Sequence, residues 1–312
     1  LVGQEVELAP GTDQPIDIEM TDDGGAIVNP DIIPPETGFD GNLAEFIDEN
    51  DLQNISSELR QSFEDDKSSR EQWEETYTKG LDLLGLNYNE RSQPFQGASG
   101  VTHPLLAESV TQFQAQAYKE LLPASGPVRT QIVGSATKEK EDQAQRVSDF
   151  MNYQIMHVME EYDPELDQML FYLPLAGSTF KKIYYDANLG RAVSKFIPAE
   201  ELVVPYTATN LEECERVTHI LKRTDNDIKK MQVSGFYRDV DLQVNQEENK
   251  VEEKERKLSG IEKTGYRDDQ YTLLEMHVDL DVPGFEDPDG IKLPYIVTID
   301  EGSGNVLSIY RN

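Results

Sequence analysis

The sequence predicts an α+β protein in which helices come first and antiparallel strands follow. Up to Gly177, apolar residues recur at the three- and four-residue spacing of amphipathic helices, and after it short alternating segments are separated by turn residues. The charge is strongly unbalanced, because the 312 residues include 60 Asp and Glu but only 28 Lys and Arg, for a formal net charge of −32. With a hydrophobic share of 37%, the chain can form packed cores if part of it lies outside them.

Residues 1–41 predict an extended acidic arm. They contain five prolines, and no Lys or Arg occurs in the chain before Arg60. A segment with so many like charges and so few large apolar side chains cannot bury enough surface to offset the entropy lost on ordering. We therefore expect self-repulsion to keep this arm extended in an isolated chain.

Residues 42–177 predict a helical region. The first two amphipathic stripes predict two helices, or one helix interrupted near residues 66–69, and a turn-rich segment at 87–100 separates them from the later stripes. The residues of the helical stripes are Leu52, Ile55, Leu59, Phe63, Trp73, Tyr77, Leu81, Leu84, Leu105, Leu106, Val110, Phe113, Ala117, Leu121, Val147, Phe150, Met151, Ile155, Val158, Met159, Leu166, Met169, Leu170 and Leu173.

Turn and capping residues predict where these helices begin and end. Thr102 is placed to cap the third helix, which Pro123 ends. Residues 128–133 alternate like a strand. The Asp-Pro pair at 163–164 is expected to end or break the longest helix, and another helix, beginning at Leu166, reaches Gly177.

Residues 178–312 predict a β-rich region. Asp225 is placed to cap a short helix that stops at Gly235. The insertion at 245–264 is nearly all charged or polar and shows no usable apolar face, so it predicts a solvated helix or a mobile loop protruding from the fold. The predicted strands are 180–185, 192–197, 201–204, 217–221, 271–278, 293–299 and 306–310.

Two segments resemble ligand-binding loops but fit ordinary turns better. Residues 177–182 contain a glycine, hydroxyls and lysines, yet they lack the two glycines and the residue order of a phosphate loop. Asp287 and Asp289, with Asp279 and Asp281 upstream, have neither the spacing nor the final Glu of a calcium loop. Both segments therefore predict turns.

The remaining candidates give no support for a metal or a cofactor. His103, His157, His219 and His277 are scattered, and none lies at metal-ligand spacing with another or with Cys214. A single cysteine excludes an internal disulfide and is typical of a reducing compartment.

The sequence gives no support for catalysis either. The carboxylate pairs at 160–161 and 212–213 are explained by solvated helix faces, since 60 acidic residues produce such pairs by chance. No serine lies in a GxSxG segment. We therefore predict that the chain is not an enzyme.

Basic residues are too few for tight DNA binding. The basic pairs at 181–182, 222–223 and 229–230 are expected to lie on solvated faces or to form salt bridges between subunits. A negative surface repels DNA and favours sliding over holding. No apolar run approaches the roughly 20 residues needed to span a bilayer, so no membrane partner is expected.

Several segments together carry a family resemblance. In chain order, these segments are PFQGASGV at 94–101, LPLAGSTFKKIYYD at 173–186, GRAV at 190–193, FIPAEELVVP at 196–205 and THILKR at 218–223. These segments resemble portal proteins of tailed bacteriophages, in the P22-like group. The resemblance extends over roughly residues 70–312 and leaves the acidic arm outside.

The resemblance implies a virion protein that assembles in the host cytoplasm as a twelve-membered ring at one capsid vertex. Its implied partners are other copies of itself, the major capsid protein, the terminase large subunit, a head–tail adaptor and the double-stranded DNA in its channel. The chain would be the wing region, and the stem, clip and crown are expected after Asn312. A neighbouring subunit, the adaptor or the capsid is then expected to hold the acidic arm in a basic groove, through contacts that weaken with salt.

Two alternatives remain open from the residues alone. An acidic scaffold or internal virion structural protein explains the charge and the absence of catalytic motifs equally well, and ring particles in electron micrographs would distinguish a portal from it. A metal-dependent nuclease would use Asp279, Asp281, Asp287 and Asp289.

Overall fold

The computed structural model describes residues 17–20, 26–29, 38–86, 95–97, 103–186, 189–244, 250–258 and 270–312. Their helices and antiparallel sheets confirm the predicted α+β class. The α-helices are α1 (Glu49–Ser69), α2 (Glu71–Leu81), α3 (Leu105–Leu121), α4 (Lys138–Tyr153), α5 (Tyr162–Ala176), α6 (Asp225–Val233) and α7 (Lys250–Leu258). The strands are β1 (Asp17–Met20), β2 (Ala26–Asn29), β3 (Phe180–Asp186), β4 (Arg191–Ile197), β5 (Leu202–Val203), β6 (Arg216–Thr224), β7 (Gln270–Leu280), β8 (Leu293–Asp300) and β9 (Val306–Arg311).

Helix α1 packs its apolar stripe on a five-stranded sheet. It begins after Asp48, whose carboxylate accepts a hydrogen bond from the Asn50 amide at 2.8 Å. Leu52, Leu59 and Phe63 are buried and share one core with β7, β8 and β9, as their spacing predicts. The hydrophobic core therefore crosses the boundary at residue 177 between the helical and β-rich regions.

A tertiary contact places the break between α1 and α2 at Arg70, one residue beyond the predicted segment. Arg70 leaves helical geometry with ψ near 7°. Its guanidinium donates hydrogen bonds to the carbonyls of Ala199 at 3.2 Å, Glu200 at 2.7 Å and Leu202 at 3.1 Å. It also pairs with Glu74 at 3.1 Å, which joins α2 to the same turn.

The five-stranded sheet is antiparallel throughout, in the order β5-β6-β7-β8-β9. Side chains of β7 alternate between its faces, so Leu274 and Met276 enter the core under α1 while Leu273 packs with Tyr237 and Leu307. The outer edge of β9 is closed by the side chain of Asn42, which hydrogen-bonds main-chain groups of this strand. Its amide nitrogen donates to the Leu307 carbonyl at 3.1 Å, and its oxygen accepts from the Ile309 amide at 3.0 Å.

Strands β3 and β4 form a separate antiparallel hairpin, with Phe180 opposite Ile197 and Asp186 opposite Arg191. Helix α5 packs on β4, and Tyr172 stacks on Phe196 with ring centroids 5.7 Å apart. The predicted strand segments of the β-rich region are confirmed, with small shifts at their ends.

The strand predicted at residues 128–133 is wrong. The Val128 amide donates to the Asn152 side-chain oxygen at 2.9 Å, and the Val128 carbonyl accepts from Asn152 and from Ser148, each at 3.1 Å. Val133 is 91% exposed. Side chains of α4 thus satisfy main-chain groups that a neighbouring strand would otherwise bind.

Two predicted caps differ from the observed ones. Thr102 lies outside the described residues, and Pro104 occupies the N-cap position of α3 without a side-chain cap. At α6 the cap is Thr224 rather than Asp225, and its hydroxyl accepts from the Asp227 amide at 3.3 Å.

Pro164 begins a helix rather than ending one. Helix α4 ends at Tyr153, and residues Gln154–Val158 form a π-helical turn. Pro164 lies in the first turn of α5, where a missing amide proton leaves no helical hydrogen bond unmade. At the other end, Gly177 caps α5 in the left-handed conformation with φ +82°.

Helix α7 corrects the prediction that 245–264 has no apolar face. Val251 is fully buried, and Leu258 packs on the cluster that contains Tyr77 and Leu81 of α2. The rest of the insertion lies outside the described residues. Ion pairs also hold α7 to α2, to Asp82 just after α2, and to β6. They are Lys250–Glu71 at 2.5 Å, Lys254–Asp82 at 2.6 Å and Lys222–Glu252 at 2.5 Å.

Within the predicted arm, the structure describes 17–20, 26–29 and 38–41. Strands β1 and β2 pair antiparallel, with Asp17 opposite Asn29. The rest of the arm lies outside the described residues. None of the helices described is both long enough and apolar enough to cross a membrane.

Candidate assembly surface

Helix α4 exposes an apolar stripe. None of its residues is buried, and Val147, Phe150 and Met151 are 42%, 62% and 44% exposed. These three residues, here called the α4 stripe, lie at i, i+3 and i+4 on one helical face. Tyr153 and Met156 are exposed just beyond it. Exposed apolar surface of this kind marks an interaction site when its residues are grouped.

Helix α3 shows a similar division between packed and exposed faces. Tyr118 packs with Leu166 and Leu170 of α5, and its hydroxyl hydrogen-bonds the Asp163 carboxylate. On α3 only Val110 is buried. The exposed large apolar residues of α3 are Leu105, Phe113 and Leu121. Both helices therefore retain apolar surface that the described fold does not cover.

Two carboxylates from the start of α5 close the outer edge of β4. The Ser194 amide donates to Glu161 at 3.2 Å, and the Phe196 amide donates to Glu165 at 2.7 Å. Glu161 also pairs with Arg191 at 2.8 Å, and this hydrogen bond lowers the pKa of the Glu161 carboxyl. The interpretation of the pair at 160–161 as a solvated helix face is therefore wrong for Glu161.

A polar cluster around Glu275 joins the hairpin to the sheet. Lys182 of β3 forms an ion pair with Glu275 of β7, and His277 lies 3.4 Å from the same carboxylate oxygen. His219 of β6, opposite Glu275 in the register, has its Nδ1 3.8 Å from that oxygen. Burial by itself would raise the pKa of Glu275, but His219, His277 and Lys182 outweigh it and hold this pKa well below its usual range.

This cluster was missed in the sequence because only the strand register brings the two histidines together. They are 58 positions apart in the chain, yet both contact one carboxylate. The signal available was their common occurrence in strand patterns. Chemically the cluster provides a partly buried charge contact between the hairpin and the five-stranded sheet.

Four of the six residues in the basic pairs form ion pairs within the described part of the chain. Lys181 instead lies with its ammonium 3.5 Å from the centre of the Tyr162 ring. The intrachain ion pairs are Lys182–Glu275, Lys222–Glu252, Lys229–Asp239 at 3.3 Å and Lys230–Asp227 at 3.6 Å.

The two candidate loops are turns, as predicted. Gly177 follows α5 and leads into β3, whereas a phosphate loop places its glycines before a helix. The amides of Asp289 and Gly290 both donate to Asp287, at 2.9 Å, in a local turn. Within the described ranges, no group of three or more His, Cys, Asp or Glu side chains is arranged to hold a metal ion. The four aspartates of the nuclease alternative therefore form no such group.

One buried carboxylate, Glu200, and two partly buried ones, Glu201 and Glu255, lie between α2, α7 and the turn before β5. Glu200 is 7% exposed, and burial raises its pKa to about 7, with the carboxylates of Glu255 and Glu201 acting in the same direction and Arg70 opposing them. Burial also raises the pKa values of Glu201 and Glu255. The folded state therefore holds the Glu200 proton more tightly than an exposed carboxyl group would.

Comparisons with known proteins add no relative to these observations. No protein-family model matches the chain, and no curated protein matches it significantly. The functional conclusion consequently depends on the surface geometry, the charge and the sequence resemblance.

Proposed function

We propose that this chain is a subunit of a closed ring of identical copies that serves as the portal of a tailed-bacteriophage capsid. The observation that carries the proposal is the α4 stripe. Val147, Phe150 and Met151 form an apolar helical face with no buried member in the described fold. A head-to-tail contact that repeats around an axis covers such a face in every copy when the ring closes.

The charge distribution supports a DNA conduit. The net charge is −32, and most of the paired lysines are neutralised by acidic partners in the same chain. A surface of this kind repels phosphates and does not retain DNA as it moves. In this proposal the ring acts in the virion, with double-stranded DNA in the channel, and the terminase large subunit, the major capsid protein and a head–tail adaptor dock around it.

The proposal is tested by purifying the chain and determining its assembly state. We expect ring particles in negative-stain images and a native mass equal to a whole number of subunits, twelve in the proposed portal. Monomers at all accessible concentrations would contradict the proposal. Irregular assemblies without a central channel would favour the acidic scaffold or internal virion protein instead.

A further inference from the structure

The edges of the two β structures are protected unequally. Side chains bind the outer edge of β4 at Ser194 and Phe196, and Asn42 binds the outer edge of β9. In the register of the hairpin, Ser194 lies opposite Ile183, and Phe196 lies opposite Lys181. Opposed residues of an antiparallel pair direct their main-chain groups either toward each other or both away from the pair. Since the amides of Ser194 and Phe196 point away from β3, the main-chain groups of the residues opposite them point away from β4.

The outward positions of β3 are therefore Lys181, Ile183 and Tyr185. Their outward main-chain groups have no hydrogen-bond partner among the described residues, and β3 pairs only with β4 there. Ile183 and Tyr185 are also 67% and 68% exposed. An unprotected strand edge with exposed apolar side chains is a template for strand addition.

The backbone of this edge and its charge together indicate what binds it. Residues 180–197 contain four basic residues and one acidic residue. Among the described residues, Lys182 and Arg191 are ion-paired and the Lys181 ammonium is buried against the Tyr162 ring, so Lys195 is the basic side chain that stays exposed. An extended segment is complementary to this edge in backbone conformation, and Lys195 favours an acidic one.

Residues 1–41 of the chain provide such a segment. They contain ten acidic residues and no basic one, and strands β1 and β2 lie within them. In the described residues of one chain, β1 and β2 pair with each other and not with β3. We propose that this acidic segment of one copy adds to the β3 edge of a neighbouring copy. The inference rests on the proposed function, because it requires identical subunits side by side.

The test uses the full chain with Tyr185→p-benzoylphenylalanine, a photo-crosslinking residue at the open edge. Equal amounts of unlabelled and ¹⁵N-labelled chains are assembled together, irradiated and digested with trypsin. Since Arg60 is the first basic residue, the arm is released as one peptide, 1–60. We expect this peptide to be crosslinked to the β3 peptide, with one partner labelled and the other unlabelled in about half of the products.

A proline substitution then tests the main-chain contact. Ile183→Pro removes an outward amide proton without removing a hydrogen bond within the hairpin, and Ile183→Val keeps the proton as a matched control. We expect the proline to lower the crosslink yield about tenfold and the valine to leave it unchanged.

Each other outcome overturns the proposal in a distinguishable way. Crosslinks only between equally labelled partners would assign the edge to the chain's own arm. Rings without arm crosslinks, or a yield that Ile183→Pro leaves unchanged, would refute strand addition and leave the proposed function intact. If no rings form, the proposed function fails and this inference fails with it.

Discussion

Replacing Phe150 separates assembly from folding. Phe150 is 62% exposed on a helix with no buried residue, so Phe150→Ser removes no core contact. A phenylalanine side chain buries roughly 200 Å², which leaves about 120 Å² for an interface to cover. At about 25 cal/mol per Å², this surface contributes about 3 kcal/mol to each subunit contact. We therefore expect the dissociation constant of the contact to rise about 100-fold.

The assay measures assembly against protein concentration by mass photometry, with urea unfolding of the dissociated chain as the folding measurement. Gln145→Ser is the matched control, because Gln145 is exposed on the far face of α4 and, among the described residues, its side chain hydrogen-bonds only Asp149. We expect the free energies of unfolding of both variants to stay within about 0.5 kcal/mol of that of the original chain. The reasoning is refuted if Phe150→Ser assembles normally, or if its stability drops as for a buried residue.

Two further predictions concern the interior. Glu200→Gln removes a carboxyl whose folded pKa is about 7 against an ordinary value of 4.5. Because the folded state holds this proton more tightly than the unfolded state does, the original chain loses about 3 kcal/mol of stability as pH rises from about 4.5 to 7. The variant has no such carboxyl group, so its stability should not show this loss. Urea unfolding of both chains at pH 5 and pH 8 measures this difference, and an equal change in stability of the two chains between these pH values would contradict the prediction. Val251→Asp places a carboxylate at a fully buried position and should release α7 from α2, at a cost of at least about 2 kcal/mol. Hydrogen exchange across 250–258 should accelerate, while the control Glu253→Gln on the same helix should leave it slow; equal exchange in both variants would show that Val251 does not hold α7.

The spacing of apolar residues predicted the helices and strands that bury a single face. Leu52, Leu59 and Phe63 recur at helical spacing because α1 has a single apolar side against the sheet. The same reasoning missed α7, although Val251 and Leu258 are seven residues apart, which is two helical turns. The many charges around them concealed this short face.

Sequence patterns did not predict the features that depend on contacts between residues far apart in the chain. Residues 128–133 alternate like a strand, but Asn152 takes the main-chain groups of Val128, so no ladder forms. His219 and His277 meet at Glu275 only because β6 and β7 pair in one particular register. The α4 stripe was visible in the sequence as a helical face, whereas its exposure required the folded chain.

The joint at Arg70 has a mechanical consequence. Helix α1 belongs to the core under the sheet, and α2 belongs to the core shared with α5 and α7. Apolar contacts between helices can slide, but the guanidinium between them makes directional bonds to three carbonyls and one carboxylate. A force applied to the second core is thus transmitted to the sheet through the directional hydrogen bonds of Arg70, which resist sliding.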